Sequence, residues 1–425
     1  MHLPYPHLIL IAIVVVSIVL MLVRPRGLPE VWWAGGGAVL LVLLRLVSLR
    51  IAEHAVFEGL DVYLFLIGMM LLSGLADHFG VFGWLAAAAV RAAHGSRARL
   101  FLLLYGIGTL TTIFLSNDAT AVVLTPAILV AIRKAKVAPL PYVFGCAMIA
   151  NAASFVLPIS NPANLVVFRA GMPGLGTWLA AFTLPSILSI AATYLVLRFY
   201  FRAEFTGEMD SAVEAVPLSY AGRMVLGGVA VTVVALLVAS LLKISLGPPT
   251  CVAAIASMLA VSLYAKENPL GIASKISWAT LALVAGLFVL VDAILSIGAL
   301  NYTGAALAWA QKLPPLPGAL VTGMTVGLAN NVMNNLPAGL LAGATVTAAH
   351  AQGLLVHAVL LGIDVGPNLA ITGSLATILW LLALRQDQVK VSFFDFLKVG
   401  AVAMPVALGA ALLGAWLNQV SLTLL

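Results

Sequence analysis

Four short polar clusters interrupt an otherwise apolar chain, and they hold the residues best suited to bind and release a polar solute. The first is Ser116-Asn117-Asp118-Ala119-Thr120. The second runs Asn151-Ala152-Ala153-Ser154 and continues through Pro158, Ser160, Asn161, Pro162 and Asn164. The third spans Asn330 to Pro337 and contains Asn334 and Asn335. The fourth holds Asp364, Gly366, Pro367 and Asn368, then Thr372, Gly373 and Ser374. Proline removes a backbone donor and unwinds a helix, so helices are expected to break there. A broken helix offers free N–H and C=O groups that can replace a solute's hydration shell. Amide and hydroxyl side chains both donate and accept. Ser116, Asn117, Asn151, Ser160, Asn161, Asn164, Asn334, Asn335, Asn368, Thr372 and Ser374 are therefore the expected substrate-binding set. Asp118 and Asp364 are the expected proton-coupling pair. An ionisable group at bilayer depth costs at least ~2.5 kcal/mol and by default marks an ion path, and removal from water favours a carboxylate's protonated form.

A plainer account exists for each residue. Single Ser and Gly residues pack membrane helices closely, and that is also how Gly35-Gly36-Gly37 is read, since no phosphate-loop pattern follows. Asp77 lies near a helix end, where a solvated or capping role accounts for it; Asp292 lies mid-helix outside the breaks. The seven histidines, His2 among them, fall near predicted termini or loops. Trp32, Trp33, Trp178 and Trp278 sit at helix ends, as an interfacial belt would place them.

The elements that must carry these clusters follow from composition. Apolar residues make up 63% of the 425 positions and charged residues 8%, against about 25% charged in soluble domains. The solvent for such a chain is lipid. A net charge of +6 resides in short loops, a pattern of membrane topology rather than of a nucleic-acid surface. Leu8 to Val23 is followed, not preceded, by Arg24 and Arg26 and has no small-residue cleavage site, so it is expected to be a retained first helix with its N-terminus outside. Runs starting near Leu8, Leu28, Leu60, Leu140, Thr177, Arg223, Pro248, Ser277, Leu354 and Phe393 give ten crossings. Two further runs, broken midway, are expected to be re-entrant hairpins, because irregular backbone survives at membrane depth only inside protein or beside water. This topology puts 16 of the 21 Lys and Arg residues on the cytoplasmic side and leaves Arg45, Arg50, Arg169, Lys243 and Lys312 outside, as the positive-inside rule requires. The setting is the plasma (inner) membrane, with both termini outside.

The expected fold class is all-α: ten transmembrane helices plus two re-entrant hairpins in two inverted repeats. Residues 1–203 form the first repeat, with a hairpin at 98–135 and a broken helix at 140–170. Residues 204–221, with Glu204, Glu208, Asp210 and Glu214, form a cytoplasmic linker. Residues 222–425 form the second, with a hairpin at 316–350 and a broken helix at 354–384. Asn117-Asp118 is matched to Asn334-Asn335, an offset of 217. Five crossings per half, an odd number, invert the second half.

Leu115 to Arg133 (LSNDATAVVLTPAILVAIR), Asn334 to Gly343 (NNLPAGLLAG) and Gly362 to Leu381 (GIDVGPNLAITGSLATILWL) resemble the arsenite efflux permeases, within the wider ion transporter superfamily. The resemblance covers nearly the whole chain. It implies outward transport of arsenous and antimonous acid in exchange for protons, with no cofactor. It also implies a scaffold domain, an elevator-like transport domain, a homodimer and, in some members, a partner ATPase. The chain departs from the family at Asn151-Ala152-Ala153-Ser154, where an acidic residue and two threonines are expected.

Substrate chemistry can be weighed directly. Asp118 at a hairpin tip would repel a dianion by about 4 kcal/mol at 4 Å with an effective dielectric of 20, whereas arsenous acid is neutral at pH 7 and carries three hydroxyls. Two cysteines, Cys146 and Cys251, cannot form a three-thiolate arsenic site within one subunit. A sodium-coupled anion or dicarboxylate symporter and a Na+/H+ antiporter remain alternatives. The absence of HExxH, GxSxG or a short paired-aspartate motif argues against an intramembrane enzyme.

Overall fold

The computed structural model describes residues 5–210 and 217–424. Glu214 of the expected linker and His2 lie outside the described residues. Helices account for nearly all of the rest, and Ser96 and Glu208 form the one isolated β-bridge among the described residues. The first half contains α1 (Pro6–Val23), α2 (Glu30–Leu43), α3 (Leu49–Glu58), α4 (Leu60–His78) and α5 (Val81–Ala92). It continues with α6 (Arg97–Leu115), α7 (Thr125–Lys134), α8 (Leu140–Ala152), α9 (Pro162–Val167) and α10 (Leu175–Tyr200). The second half repeats this order: α11 (Tyr220–Leu241), α12 (Gly247–Ala265), α13 (Pro269–Ala273), α14 (Trp278–Ser296) and α15 (Ala299–Ala310). Then come α16 (Pro315–Met333), α17 (Asn335–Ala348), α18 (Leu354–Val365), α19 (Leu375–Gln386) and α20 (Phe393–Leu424).

Among the described residues, eight helices are long and apolar enough to cross a membrane: α1, α4, α6, α10, α11, α12, α14 and α20. Seven of them fall on expected crossings; the eighth, α6, is the first arm of a hairpin. The other three expected crossings are built of shorter pieces: α2, with 14 residues, α8 with α9, and α18 with α19. The broken pieces hold at depth because they pack inside the bundle, and nearly every residue of α8 and α9 is buried, whereas α2 keeps an exposed apolar face with Trp32, Val39 and Leu43.

The hairpins enter from opposite ends. Arg97, at the start of α6, donates to the carbonyls of Thr206 and Glu208. Beyond α7, the Asp210 amide donates to the Ala135 carbonyl, and Lys136 pairs with Asp210 at 3.2 Å. Both ends of the first hairpin therefore meet one segment, residues 204–210, at what is called here the basic end. Both ends of α16–α17 lie at the other end. Gly318 abuts Leu313 and Leu355, while Ala351 clusters with Leu307 and Val356 beside Phe168.

The two turns share an unusual backbone. Ser116 has φ 110° and ψ 160°, and Asn334 has φ 79° and ψ 155°. Ser116 thus corresponds to Asn334, and Asn117 to Asn335. The spacing is 218 rather than 217, because conformation and not residue type sets the register; Gly80 and Gly298 repeat it. Close helix approach explains part of the glycine triplet. A Cβ on Gly37 would collide with the Ser17 hydroxyl, whereas Gly35 and Gly36 have open space at theirs. Trp178 is not interfacial as expected: it is fully buried, donates to the Phe155 carbonyl at 3.1 Å and packs against Phe168 and Phe182. Cysteines placed at His94 and Lys136 should be labelled by an impermeant maleimide from one face of the membrane, and one at Gln352 from the other. Labelling of all three from one face would contradict the opposed hairpins.

Candidate functional site

The breaks leave backbone groups without helical partners far from water, and the asparagines of the four clusters supply many of the missing bonds. Asn164 donates to the carbonyls of Ser154 (3.0 Å), Pro158 (3.3 Å) and Leu157 (3.4 Å) in the gap between α8 and α9. Asn161 caps α9 through the Ala163 amide. Ser374 likewise caps α19 through the Thr377 amide, and Thr377 donates to the Ile371 carbonyl. Each hairpin is tied to the broken helix of its own half. Ser160 Oγ donates to the Ile113 carbonyl at 3.1 Å on the first side. On the second, Asn330 donates to the Ile363 carbonyl at 2.6 Å, and Asn331 donates to the Gly366 carbonyl while accepting from the Ala370 amide. Thr372 donates to the Asn331 carbonyl.

Two side-chain bonds then join the halves. Asn151 Nδ2 donates to Asn368 Oδ1 at 3.0 Å, and Asn161 Nδ2 donates to Asp364 Oδ1 at 2.6 Å. Asp364 is fully buried, and among the described residues its second oxygen meets no hydrogen-bond donor. Hairpins and broken helices are thus bonded into one body. It packs against a second set of helices formed by α1, α2, α4, α11, α12 and α14.

A cavity of about 400 Å³ lies between the two sets. On the bonded side it is walled by Ser116, Asp118, Pro162 and Leu375. These are the first hairpin tip and the starts of α9 and α19, and a π-helical segment at Ala119–Leu124 follows the tip. The opposite wall is Met69, Ser73, Asp77, Lys275, Ser277 and Thr280 from α4 and the α13–α14 region. Asp77, His78 and Lys275 mark a mouth at the basic end. At the other end Arg169, just past α9, pairs with Glu58 at 3.1 Å and Asp292 at 3.7 Å. Asp292 is therefore part of an ion-pair cluster across the two helix sets.

Of the expected residues, Ser116 and Asp118 face the cavity, and Asp118 makes no ion pair among the described residues. Asn117 is buried behind the tip, accepting from the Asp118 amide. Asn151, Ser160, Asn161, Asn164, Asn368, Ser374 and Asp364 lie within the bonded body, and Thr372 is half-buried against Asn331. Asn334 and Asn335 are buried at the second tip, away from this cavity. Cys146 is buried in the core. The opposite wall was missed in the sequence. The signal was the spacing of Ser73 and Asp77, one helical turn apart on α4, with Met69 and Met70 on the same side.

Residues 8–366 match the family described as citrate transporter, CitMHS. The chain belongs to that family. It is 28% identical over 415 residues to an arsenical pump membrane protein of Escherichia coli (strain K12), covering 93% of this chain and 95% of that protein. It is 25% identical to a putative arsenical pump membrane protein of Bacillus subtilis (strain 168), covering 92% and 95%. The YdaH transporter of Alcanivorax borkumensis, whose crystal structure is described as having an unusual topology, shares the fold. Its TM-score is 0.52 at 15% identity, over 98% of this chain and 99% of that one. The chain is thus a multi-pass membrane transporter.

Asn161→Ala should strip Asp364 of the donor at Oδ1 and leave a buried carboxylate short of partners. The expected loss is about 1–3 kcal/mol or more, read as a lowered melting temperature in detergent. Asp118→Asn, at the cavity wall, should leave melting unchanged. Equal effects of the two would contradict the separation of framework from cavity.

Proposed function

We propose that this transporter exports neutral arsenous acid, and antimonous acid with it, across the plasma (inner) membrane in exchange for protons. The observation that carries the proposal is Asp118, a carboxylate with no ion pair among the described residues, beside Ser116 on the wall of a cavity open at the basic end. A neutral solute with three hydroxyls suits this wall. Hydroxyl and carboxylate groups can bond it, and no fixed charge opposes it. The similarity to arsenical pump membrane proteins supports the same substrate class. The basic end is cytoplasmic by the positive-inside rule, which places both termini outside and opens the cavity to the substrate's source. Protonation of Asp118 neutralises the wall, and Asp364 forms a second buried protonation site within the bonded body. With its charge removed, the body crosses in an elevator-like movement while the scaffold stays fixed. The Arg169 bridge to Glu58 and Asp292 closes the outer side and opens during that movement. Residues 1–203 and 222–425 act as inverted repeats joined by 204–221, each repeat closing one side in turn. The proposal requires no ATPase; one would add drive, and a homodimer would anchor the scaffolds.

A sodium-coupled anion symporter is the second reading, favoured by the description of the family and by Lys275 on the cavity wall. Gradients imposed separately on everted vesicles distinguish the two. Arsenite accumulation should follow an inside-acid proton gradient, ignore sodium, and fall by roughly tenfold or more in Asp118→Asn, a change worth about 1.4 kcal/mol. Sodium-driven citrate uptake with no arsenite accumulation would overturn the proposal. Arg169→Ala should raise the passive leak of arsenite in the same vesicles.

A further inference from the structure

The two repeats differ at one place that the transport cycle does not explain. Helix α5 lies tightly against the first hairpin and buries Val81, Phe82, Ala86, Ala89 and Val90. Its counterpart α15 buries Leu307 and Ala310, and Leu307 belongs to a small cluster separate from the main core. Between α15 and both arms of the second hairpin is a cavity of about 360 Å³, lined by Thr303, Leu307, Thr322, Thr325, Leu341 and Val346 among others. The spacing of 218 sets Leu85, Leu104 and Ile107 opposite Thr303, Thr322 and Thr325. All three aliphatic residues pack into the main core. The fold thus permits a filled interface here, and three threonines have hollowed it.

The lining indicates the occupant. Thr303 and Thr345 bond each other at 2.7 Å, but Thr322, 7% exposed, has a hydroxyl with no partner among the described residues. A buried hydroxyl left unpaired costs about 1–3 kcal/mol, so the walls suit an apolar molecule carrying one hydrogen-bonding group. The rim faces bilayer rather than water: Trp309 is 55% and Val321 38% exposed, and Leu328 and Val332 continue that exposed face along α16. Thr322 is seven residues into α16, about 10 Å along the helix, the depth of an ester beneath a headgroup. Lys312 is exposed two residues beyond Ala310 of the lining, where a phosphate would meet it.

We propose that this cavity binds one acyl chain of an anionic glycerophospholipid, with an ester carbonyl accepting from Thr322 and the phosphate beside Lys312. The chain then fills the space that Leu85, Leu104 and Ile107 fill in the other half, holding α15 to the second hairpin. Native mass spectrometry of the full-length protein, stripped of lipid and titrated with phosphatidylglycerol or phosphatidylcholine, tests this. Phosphatidylglycerol should bind more tightly. Combining Thr303→Leu, Thr322→Leu and Thr325→Ile should weaken its binding roughly tenfold, about 1.4 kcal/mol, and Lys312→Ala should erase the preference between headgroups. Unchanged binding in a folded triple variant would overturn the proposal, as would equal binding of both lipids to the unaltered protein, an adventitious additive only. If the triple variant fails to fold, a photoreactive acyl chain on phosphatidylglycerol decides: labels on α15 and α16 support the site, and labels confined elsewhere overturn it.

Discussion

Backbone amides and carbonyls exposed by a broken helix cannot be left unpaired where no water reaches, and the arrangement of this transporter follows from that constraint. Asn164 alone takes three carbonyls in the gap between α8 and α9. Asn331 performs a similar service for the second half, bonding Gly366 and Ala370 from the neighbouring hairpin. Because Asn164 reaches back from α9 and Asn330 and Asn331 reach across from the hairpin, satisfying the backbone also welds these pieces together. The bonds of Asn151 to Asn368 and of Asn161 to Asp364 extend the weld across the two halves. What results is a polar-cored body inside a greasy protein.

Against this body the scaffold helices pack through ordinary side chains, and near the cavity the described contacts between the sets include few polar bonds. The exceptions lie at the margins. Arg169 bridges to Glu58 and Asp292 at the outer end. A strongly bonded interior and a weakly bonded boundary are what a rigid-body movement needs, since the boundary can slide without unpairing buried groups. The cavity sits on that boundary, with Ser116 and Asp118 on the bonded side and Ser73 and Asp77 on the scaffold side. The hollow beside α15 lies on a different boundary, facing lipid, and bears on how the second hairpin is held.

Much of the plan was legible in the residues. The four clusters marked the breaks, because proline and asparagine at membrane depth have few other uses, and apolar run lengths located the helices. Loop charge anticipated hairpins entering from opposite ends. Which polar residues would face a cavity was not legible. Asn161, Asn164 and Asn334 have the same chemistry as a binding residue, and only three-dimensional context shows Asn164 bonded to backbone carbonyls and Asn161 shared between the Ala163 amide and Asp364. The register between halves was off by one because identical asparagines invited alignment by type, whereas the positive φ of Ser116 and Asn334 decides it. Trp178 read as interfacial because sequence shows closeness to a helix end but not the tertiary neighbours that bury it. Ser73 passed as an ordinary helix residue because nothing in α4 breaks, and Asp77 read as a solvated or capping group because it lies near a helix end.

The central claim is that hairpins and broken helices move as one bonded unit past a fixed scaffold. Pulsed electron resonance distances in lipid nanodiscs, at acid and neutral pH with and without arsenite, address it most directly. Labels at Lys136 and Gln352 report within the moving unit, and labels at Lys136 and Lys266 report across its boundary. The account expects the first distance to hold constant while the second shifts between two populations. A first distance that varies as much as the second, or a second that never changes under conditions of active transport, would contradict it.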